Sequence, residues 1–209
     1  MRRKAGILTA ALLMVSAIKA AAISETERIF IWNEANSRLA AASAPEEFLR
    51  AAETYGKLVR AGVRNGPLFF NLGTALLKAR RYEAALNALL RAERYMGTNA
   101  EIKRNMVLAI AGAKNDDNTS LPWSRFVLFW HYGLAGGIRM TVAAAAFSAC
   151  WLALAMRRLG ARNFANQLLT ISLLILILFG SSVATTLHQE AKADLRDPIA
   201  DFGVKARKM

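Results

Sequence analysis

Three asparagine side chains, Asn36, Asn71 and Asn105, recur along the first half of the chain at nearly equal intervals. A carboxamide both donates and accepts hydrogen bonds, so a row of amides can hold the backbone of an extended peptide. In the alternative interpretation, these amides satisfy buried carbonyl groups of a neighbouring turn. With the aromatic, hydroxyl and amine side chains around them, they predict a peptide-binding or protein-binding groove that contains Trp32, Asn36, Phe70, Asn71, Thr74, Lys78 and Asn105.

Residues that could catalyse a reaction or bind a metal are few. The two histidines, His131 and His188, have no Cys, Asp or Glu at a metal-ligand spacing. The triplet Asp201-Phe202-Gly203 resembles the magnesium-binding triplet of protein kinases, but no glycine-rich loop or catalytic loop accompanies it. The chain also has no phosphate-binding loop, nucleophile elbow or dinucleotide fingerprint. We expect a protein that is not an enzyme, with no catalytic residue, metal, cofactor or small-molecule substrate.

The central groove residues lie in a segment that must fold back on itself. Residues 69–95 have apolar side chains three and four apart, interrupted once by the basic residues of 78–81. Within this segment Gly73 and Ala85 are twelve residues apart, and Ala92 continues the small-residue spacing. Where antiparallel helices cross closely, only a small residue fits at the contact. The segment therefore predicts two helices that pack through Gly73, Ala85 and Ala92.

A repeat period of about 34 residues, the interval from Asn71 to Asn105, indicates a stacked helical array. A unit that begins at Gly66 is similar to the tetratricopeptide (TPR) pattern, although Arg80 and Gly97 stand where that pattern usually has Gly and Pro. Pro67 suits the first turn of a helix. Thr98 with Glu101 has the spacing of a capping box for the next helix.

Incomplete units flank this repeat. Residues from 100 onward supply only a first helix, which we expect to cover the apolar face of the last repeat. Upstream, residues 32–62 form another hairpin if about four extra residues lie near 43–45. The sequence thus predicts an all-α fold: two TPR hairpins and a capping helix, followed by a two-helix transmembrane hairpin. A clamp for a terminal carboxylate is not expected because the capping helix has Glu101 and Asn105 in the corresponding place, and Lys103 and Arg104 are expected on the solvated face.

Two apolar segments in the second half predict the membrane helices. Residues 168–187 contain no charge over a length that is enough to cross a bilayer. A first span at 134–156 requires Arg139 to extend its charge to the interface. Small residues at Ala144 and Ser148, and at Gly180 and Ala184, permit close helix packing. Aromatic residues before the first span are expected at the membrane interface or against the helical array.

The N-terminus and the loop charges predict the topology. Three basic residues precede an apolar stretch at 5–18 and then Ala20-Ala21-Ala22, as in a secretory signal peptide; an uncleaved anchor is the alternative. The short loop between the spans contains Arg157, Arg158 and Arg162, and short Arg-rich loops stay cytoplasmic. We therefore expect a bacterial inner (cytoplasmic) membrane protein whose TPR domain and C-terminus are periplasmic.

The predicted order of parts follows from these segments. It is a signal peptide at 1–22, a TPR domain at 23–115, a linker with an aromatic interfacial segment at 116–133, a transmembrane helix at 134–156, a cytoplasmic loop at 157–167, a second transmembrane helix at 168–187 and a short periplasmic tail at 188–209.

The net charge of +13 does not indicate a nucleic-acid partner, because it is not concentrated on the array. Residues 24–120 contain 14 basic and 11 acidic side chains, whereas residues 1–23 have a net charge of +4 and residues 121–209 one of +6. The excess follows the membrane boundaries and the leader. We expect no nucleic-acid binding.

The order of these parts resembles the BatE-type TPR proteins of bacterial aerotolerance operons. The resemblance is carried by WNEAN at 32–36, AAETYGKLVRAG at 51–62, FFNLGTALLKARRYEAALNALLRAERY at 69–95 and EIKRNMVLA at 101–109, followed by two closely spaced membrane helices. Many such proteins continue into an SH3-like domain, and this chain is expected to lack that domain. The resemblance implies a membrane-tethered scaffold that acts with von Willebrand A-type membrane proteins and a MoxR-type ATPase in cell-envelope maintenance or stress tolerance. The alternative function is a small subunit of a membrane transport or channel complex.

Overall fold

The computed structural model describes residues 23–113, 125 and 128–194, with side chains as far as residue 191. Throughout these residues the regular structure is helical, in eight helices. The predicted signal peptide, most of the predicted linker and the end of the predicted tail lie outside the described residues. The all-helical fold class is confirmed.

The first two helices, α1 (Glu25–Ala41) and α2 (Pro45–Arg60), form a hairpin. Ser24 caps α1 by accepting a hydrogen bond from the Glu27 amide at 3.1 Å. The carboxylate of Glu47 accepts the amides of Ser43, at 2.7 Å, and Ala44, which lowers the pKa of Glu47. The segment predicted as an insert is thereby folded into a turn that starts α2.

The segment at 69–95 divides into α3 (Gly66–Lys78) and α4 (Tyr82–Met96), as two helices rather than one. Asn65 caps α3 by accepting from the Leu68 amide at 2.8 Å, and Pro67 lies in the first turn. Arg80, in the turn, has a φ of 58°, a left-handed conformation that glycine adopts at lower cost. The departure of Arg80 from the repeat pattern therefore places a strained residue in this turn.

Helices α3 and α4 approach closely at Gly73. A Cβ added at Gly73 would lie 2.8 Å from Leu89 Cγ and 3.3 Å from the carbonyl oxygen of Ala85. Ala85, Leu89 and Ala92 are all fully buried. These side chains belong to one continuous core that also contains Tyr55, Phe69 and Leu72.

Helix α5 (Ala100–Gly112) packs on α4 and covers the end of the core with Ile102, Met106 and Ala109. The predicted capping box is wrong in detail. Asn99 caps α5 by accepting from the Ile102 amide at 2.8 Å, whereas the Thr98 hydroxyl donates to Glu93 at 2.5 Å. At the other end of α5, Gly112 lies directly against the ring of Tyr82.

A short helix, α6 (Phe129–Gly133), precedes two long ones, α7 (Gly136–Arg158) and α8 (Arg162–Asp194). Both long helices contain a stretch long and apolar enough to cross a membrane. At about 1.5 Å per residue, α7 is about 34 Å long, close to the thickness of a bilayer hydrocarbon core. Large apolar side chains such as Trp151, Leu174 and Ile177 are exposed along both helices.

The structure corrects the predicted boundaries of this hairpin. The loop predicted at 157–167 is a short turn at 159–161, in which Gly160 has a φ of 95°. The helix predicted at 168–187 is the apolar part of α8, which continues through the start of the predicted tail because Gln, Glu, Ala and Lys favour helix beyond Leu187.

The contact between α7 and α8 also differs from the predicted small-residue pairs. Ala144, Ser148 and Ala184 are exposed, whereas Ala146, Ala153, Ala165 and Ser172 are buried. The Cys150 thiol donates to Ser172 Oγ at 3.3 Å across this contact. The helices therefore pack on a face rotated from the one predicted.

Candidate functional site

A cleft of about 640 Å³ lies between α3 and α5. It has apolar walls, a polar floor and charged side chains at its margins, and Tyr82 packed on Gly112 brings α4 against the end of α5 on one side of it. Its lining residues are Phe70, Thr74, Leu77, Lys78, Tyr82, Glu101, Arg104, Asn105, Leu108 and Gly112.

Four of the seven predicted groove residues line this cleft: Phe70, Thr74, Lys78 and Asn105. Asn105 is 7% exposed, and its Nδ2 donates to the Thr74 hydroxyl at 3.1 Å. This bond ties α5 to α3 across the floor. Lys78 lies at the cleft margin, with Nζ 4.9 Å from the ring centroid of Phe48.

The other three predicted residues, Trp32, Asn36 and Asn71, pack around Tyr55 where α1, α2 and α3 meet. Asn36 Oδ1 accepts from the Tyr55 hydroxyl at 2.6 Å and from Asn71 Nδ2 at 3.2 Å. Trp32 contacts the Tyr55 ring edge-on, with centroids 5.9 Å apart. Burial raises the pKa of Tyr55 to about 12, although its hydrogen bond to Asn71 lowers it. The amides therefore bond to neighbouring side chains and join successive helices, a role that neither the groove nor the carbonyl interpretation described.

The cleft contains residues that the groove prediction missed. Arg104, Leu108 and Gly112 stand one repeat period after Phe70, Thr74 and Lys78 and face them across the cleft. The same period that related Asn71 to Asn105 therefore relates the two walls. Arg104, which we expected on the solvated face, lines the cleft.

Lys103, the residue before Arg104, lies on another side of α5. It lines a separate cavity of about 400 Å³ together with Met106, Val107, Phe129 and Tyr132. Adjacent basic residues on α5 thus serve different surfaces. Lys103 is therefore a matched control position for Arg104, because both residues are basic and lie on α5.

Glu190 of α8 attaches the helical array (α1 to α5) to the long hairpin (α7 and α8). Its carboxylate accepts from Arg94 Nη1 at 3.0 Å and from the Tyr95 hydroxyl at 3.2 Å, and it lies 4.0 Å from Arg91 Nη2. Burial, the charge of Glu190 and the hydrogen bond to it raise the pKa of Tyr95 to about 12. On the same helix as Tyr95, Glu93 pairs with Arg125.

Arg139 and His131 form the second part of the junction between the helical array and the long hairpin. Arg139 is 1% exposed, so the prediction that its charge extends to the membrane interface is wrong. Its Nη1 donates to Ser182 Oγ at 2.8 Å, to Thr186 Oγ1 at 3.1 Å and to His131 Nδ1 at 3.0 Å. Guanidinium can only donate, so Nδ1 accepts and the imidazole is neutral. Burial, followed by the charges of Arg139, Arg94 and Arg125, lowers the pKa of His131.

The backbone is also close at the junction. A Cβ added at Gly97, whose φ is 75°, would lie 2.6 Å from the Gly133 carbonyl oxygen, and one at Gly136 would lie 2.9 Å from the Arg94 carbonyl oxygen. The Thr98 amide donates to the Tyr132 carbonyl at 3.0 Å. Glycine at 97, where the repeat pattern usually has Pro, thus permits direct contact between the array and α6.

The described residues contain no group of three or more His, Cys, Asp or Glu side chains able to bind a metal ion. No protein-family model, curated protein or solved structure matches this chain.

Proposed function

We propose that the protein is a membrane-anchored adaptor that binds a segment of a protein partner in the cleft between α3 and α5. The observation that carries this proposal is an open cleft of about 640 Å³ on an array that is bound directly to a hairpin of membrane-spanning length. A concave surface with mostly apolar walls and a few polar groups is the usual form of a binding site. The repeat relation between its walls supports a TPR-type array.

The proposed topology places the array in the periplasm of a bacterium and the turn at 159–161 in the cytoplasm. The array contacts the start of α7 and the end of α8, while Arg157, Arg158 and Arg162 surround the turn at the opposite end. A span about 34 Å long separates these ends, and Arg-rich turns are retained in the cytoplasm. The proposed orientation therefore agrees with the two membrane crossings and with the basic turn between them.

Site-specific photocrosslinking tests the adaptor proposal. A photoreactive amino acid replaces Phe70 in the cleft or, as the control, Asn87, which is exposed on α4 and does not line the cleft. After irradiation of intact cells, the Phe70 variant should form a discrete adduct with a membrane-associated protein, which mass spectrometry identifies. Equal adducts at both positions, or none at Phe70, would contradict the proposal.

Thiol labelling tests the topology separately. After Cys150→Ser, single cysteines replace Arg158 near the turn and Glu53 on α2. An impermeant maleimide added to spheroplasts should label position 53 and leave position 158 unlabelled until the membrane is permeabilised. Labelling of position 158 in sealed spheroplasts would refute the orientation.

The resemblance to BatE-type proteins suggests von Willebrand A-type membrane proteins and a MoxR-type ATPase as partners in cell-envelope maintenance or stress tolerance. The transport-subunit alternative gives a different outcome: purified protein in liposomes should conduct ions without a partner. A conductance that survives Phe70→Ala would favour that alternative over the adaptor.

A further inference from the structure

We infer that the segment bound in the cleft is an acidic peptide with a bulky apolar side chain next to its carboxylates. This inference rests on the proposed function and specifies the chemistry of its ligand. It follows from the placement of three charged side chains, Lys78, Glu101 and Arg104, around the apolar walls of the cleft.

The apolar part of the ligand follows from the walls. Phe70, Leu77 and Leu108 line the cleft, and Leu108 is 51% exposed although it faces a concave surface. Covering these side chains with an apolar group would remove their exposed area from water, which favours binding. The cleft of about 640 Å³ has room for an aromatic or long aliphatic side chain together with the peptide backbone on either side of it.

The acidic part follows from the charges at the margin. Lys78 belongs to the last turn of α3 and Arg104 to the second turn of α5, so the two cations come from opposite walls. Neither forms an ion pair with another described residue, and Lys78 is held at the margin by its contact with the Phe48 ring. Two cations that have no acidic partner among the described residues, placed beside an apolar surface, attract carboxylates and repel basic segments.

Glu101 limits where the carboxylates can lie. It stands in the first turn of α5, one turn before Arg104, and reduces the net charge of the lining to +1. A ligand carboxylate near the first turn of α5 would be repelled, whereas one between Lys78 and Arg104 would be attracted. Removing the charge of Glu101 should therefore strengthen binding of the acidic ligand, whereas removing the charge of Lys78 or Arg104 should weaken it.

Three labelled peptides test this inference on the full chain in lipid nanodiscs. Each is a fluorescein-labelled, C-terminally amidated heptapeptide with a central Phe flanked by Asp, by the neutral isostere Asn, or by Lys. Fluorescence anisotropy should give the tightest binding for the Asp peptide, about tenfold tighter than for the Asn peptide, with the Lys peptide weakest. Amidation ensures that the preference reports side-chain carboxylates and not a free C-terminus.

Adjacent variants on one helix separate cleft electrostatics from net charge. Arg104→Glu should weaken binding of the Asp peptide about tenfold, whereas Lys103→Glu, with the same charge change outside the cleft, should change it less than about twofold. Glu101→Gln should tighten binding. Circular dichroism melts confirm folding, and Arg104→Gln serves as a second variant if Arg104→Glu does not fold.

The outcomes distinguish the two proposals. Equal binding of the Asp and Asn peptides, tighter binding of the Lys peptide, or equal effects of Lys103→Glu and Arg104→Glu would overturn the acidic preference and leave the adaptor function standing. No binding of any of the three peptides up to about 1 mM would overturn both.

Discussion

Arg80 shows how one residue in an unfavourable backbone conformation limits the stability of the array. Its φ of 58° lies in the left-handed region, which costs a non-glycine residue about 1–2 kcal/mol. Arg80→Gly should raise the free energy of unfolding by about 0.5–1 kcal/mol, since the larger entropy of glycine in the unfolded chain offsets part of the relief. Thermal unfolding in detergent, followed by circular dichroism, measures the change.

Arg81→Gly is the matched control, because Arg81 has a φ of −94° and gains no relief from glycine. We expect it to lower stability by about 0.5–1 kcal/mol. A fall in stability for both variants would show that the turn does not impose strain at Arg80.

His131 should make the junction sensitive to acid. The folded protein holds this imidazole neutral, and its pKa is lowered from the ordinary 6.5. A base with a lowered folded pKa binds protons more readily when unfolded, so its contribution is present above pH 6.5 and is lost as the pH falls below it. The melting temperature should therefore decrease as the pH is lowered below 6.5.

Comparison with His131→Gln isolates this contribution, because glutamine keeps a neutral acceptor for Arg139. The difference in melting temperature between the two proteins should shrink or reverse as the pH is lowered. His188→Gln, at an exposed position on α8, should reproduce the pH dependence of the unmodified protein. The prediction is wrong if all three proteins show the same slope.

At the scale of helices, Gly73 sets how closely α3 and α4 approach. A side chain there would meet Leu89 and the Ala85 backbone. Gly73→Val should lower the free energy of unfolding by about 1–3 kcal/mol, as overpacking of a core does. Because α3 forms one wall of the cleft, we also expect weaker binding of the Asp-flanked peptide.

Gly137→Val provides the same substitution at a helical glycine with open space around its Cβ position. Its effect on stability should stay within about 0.5 kcal/mol, which is the scale of helix propensity. Similar destabilisation by both variants would mean that the close contact at Gly73 is not energetically important.

The helices of the array could be predicted from the sequence because local signals coincide with long-range spacing. Asn65 and Pro67 start α3, and apolar residues three and four apart define its buried face. The groove could be predicted only in part, because Asn36 and Asn71 differ from Asn105 in what surrounds them and not in their chemistry. Arg104 was missed for the same reason: its neighbour Lys103 is indistinguishable by residue type.

The burial of Arg139 could not be predicted from its segment. An arginine beside an apolar run usually extends its charge to the interface. Here Ser182 and Thr186, which are distant in sequence, provide the acceptors. Only the pairing of α7 with α8 brings these groups together, and that pairing uses a helix face that the small-residue spacing did not indicate.

At the scale of the whole molecule, Glu190 couples the array to the long hairpin. Its side chain is 17% exposed and pairs with cations on α4. Glu190→Gln should weaken the junction by about 1–3 kcal/mol, because partly buried guanidinium groups lose their counter-charge. We expect spin-label distances between α4 and α7, measured by pulsed electron resonance, to broaden in the variant.

Gln189→Glu is the corresponding control, since it adds a carboxylate at the exposed neighbouring position on α8. It should leave the distance distribution narrow. A narrow distribution in Glu190→Gln as well would show that the glycine contacts at 97 and 136 hold the junction without the charge.

The continuity of α8 has a consequence for which proteins can reach the cleft. Glu190 follows Leu187, the last residue of the apolar stretch, by three positions, so in the proposed membrane-anchored protein the Arg94 end of α4 would stand about one helical turn from the lipid surface. From there to Tyr82, at the edge of the cleft, is at most about 18 Å along α4. The adaptor would therefore act as a short-range receptor: it would select segments carried close to the bilayer, and a domain on a long stalk would pass above it.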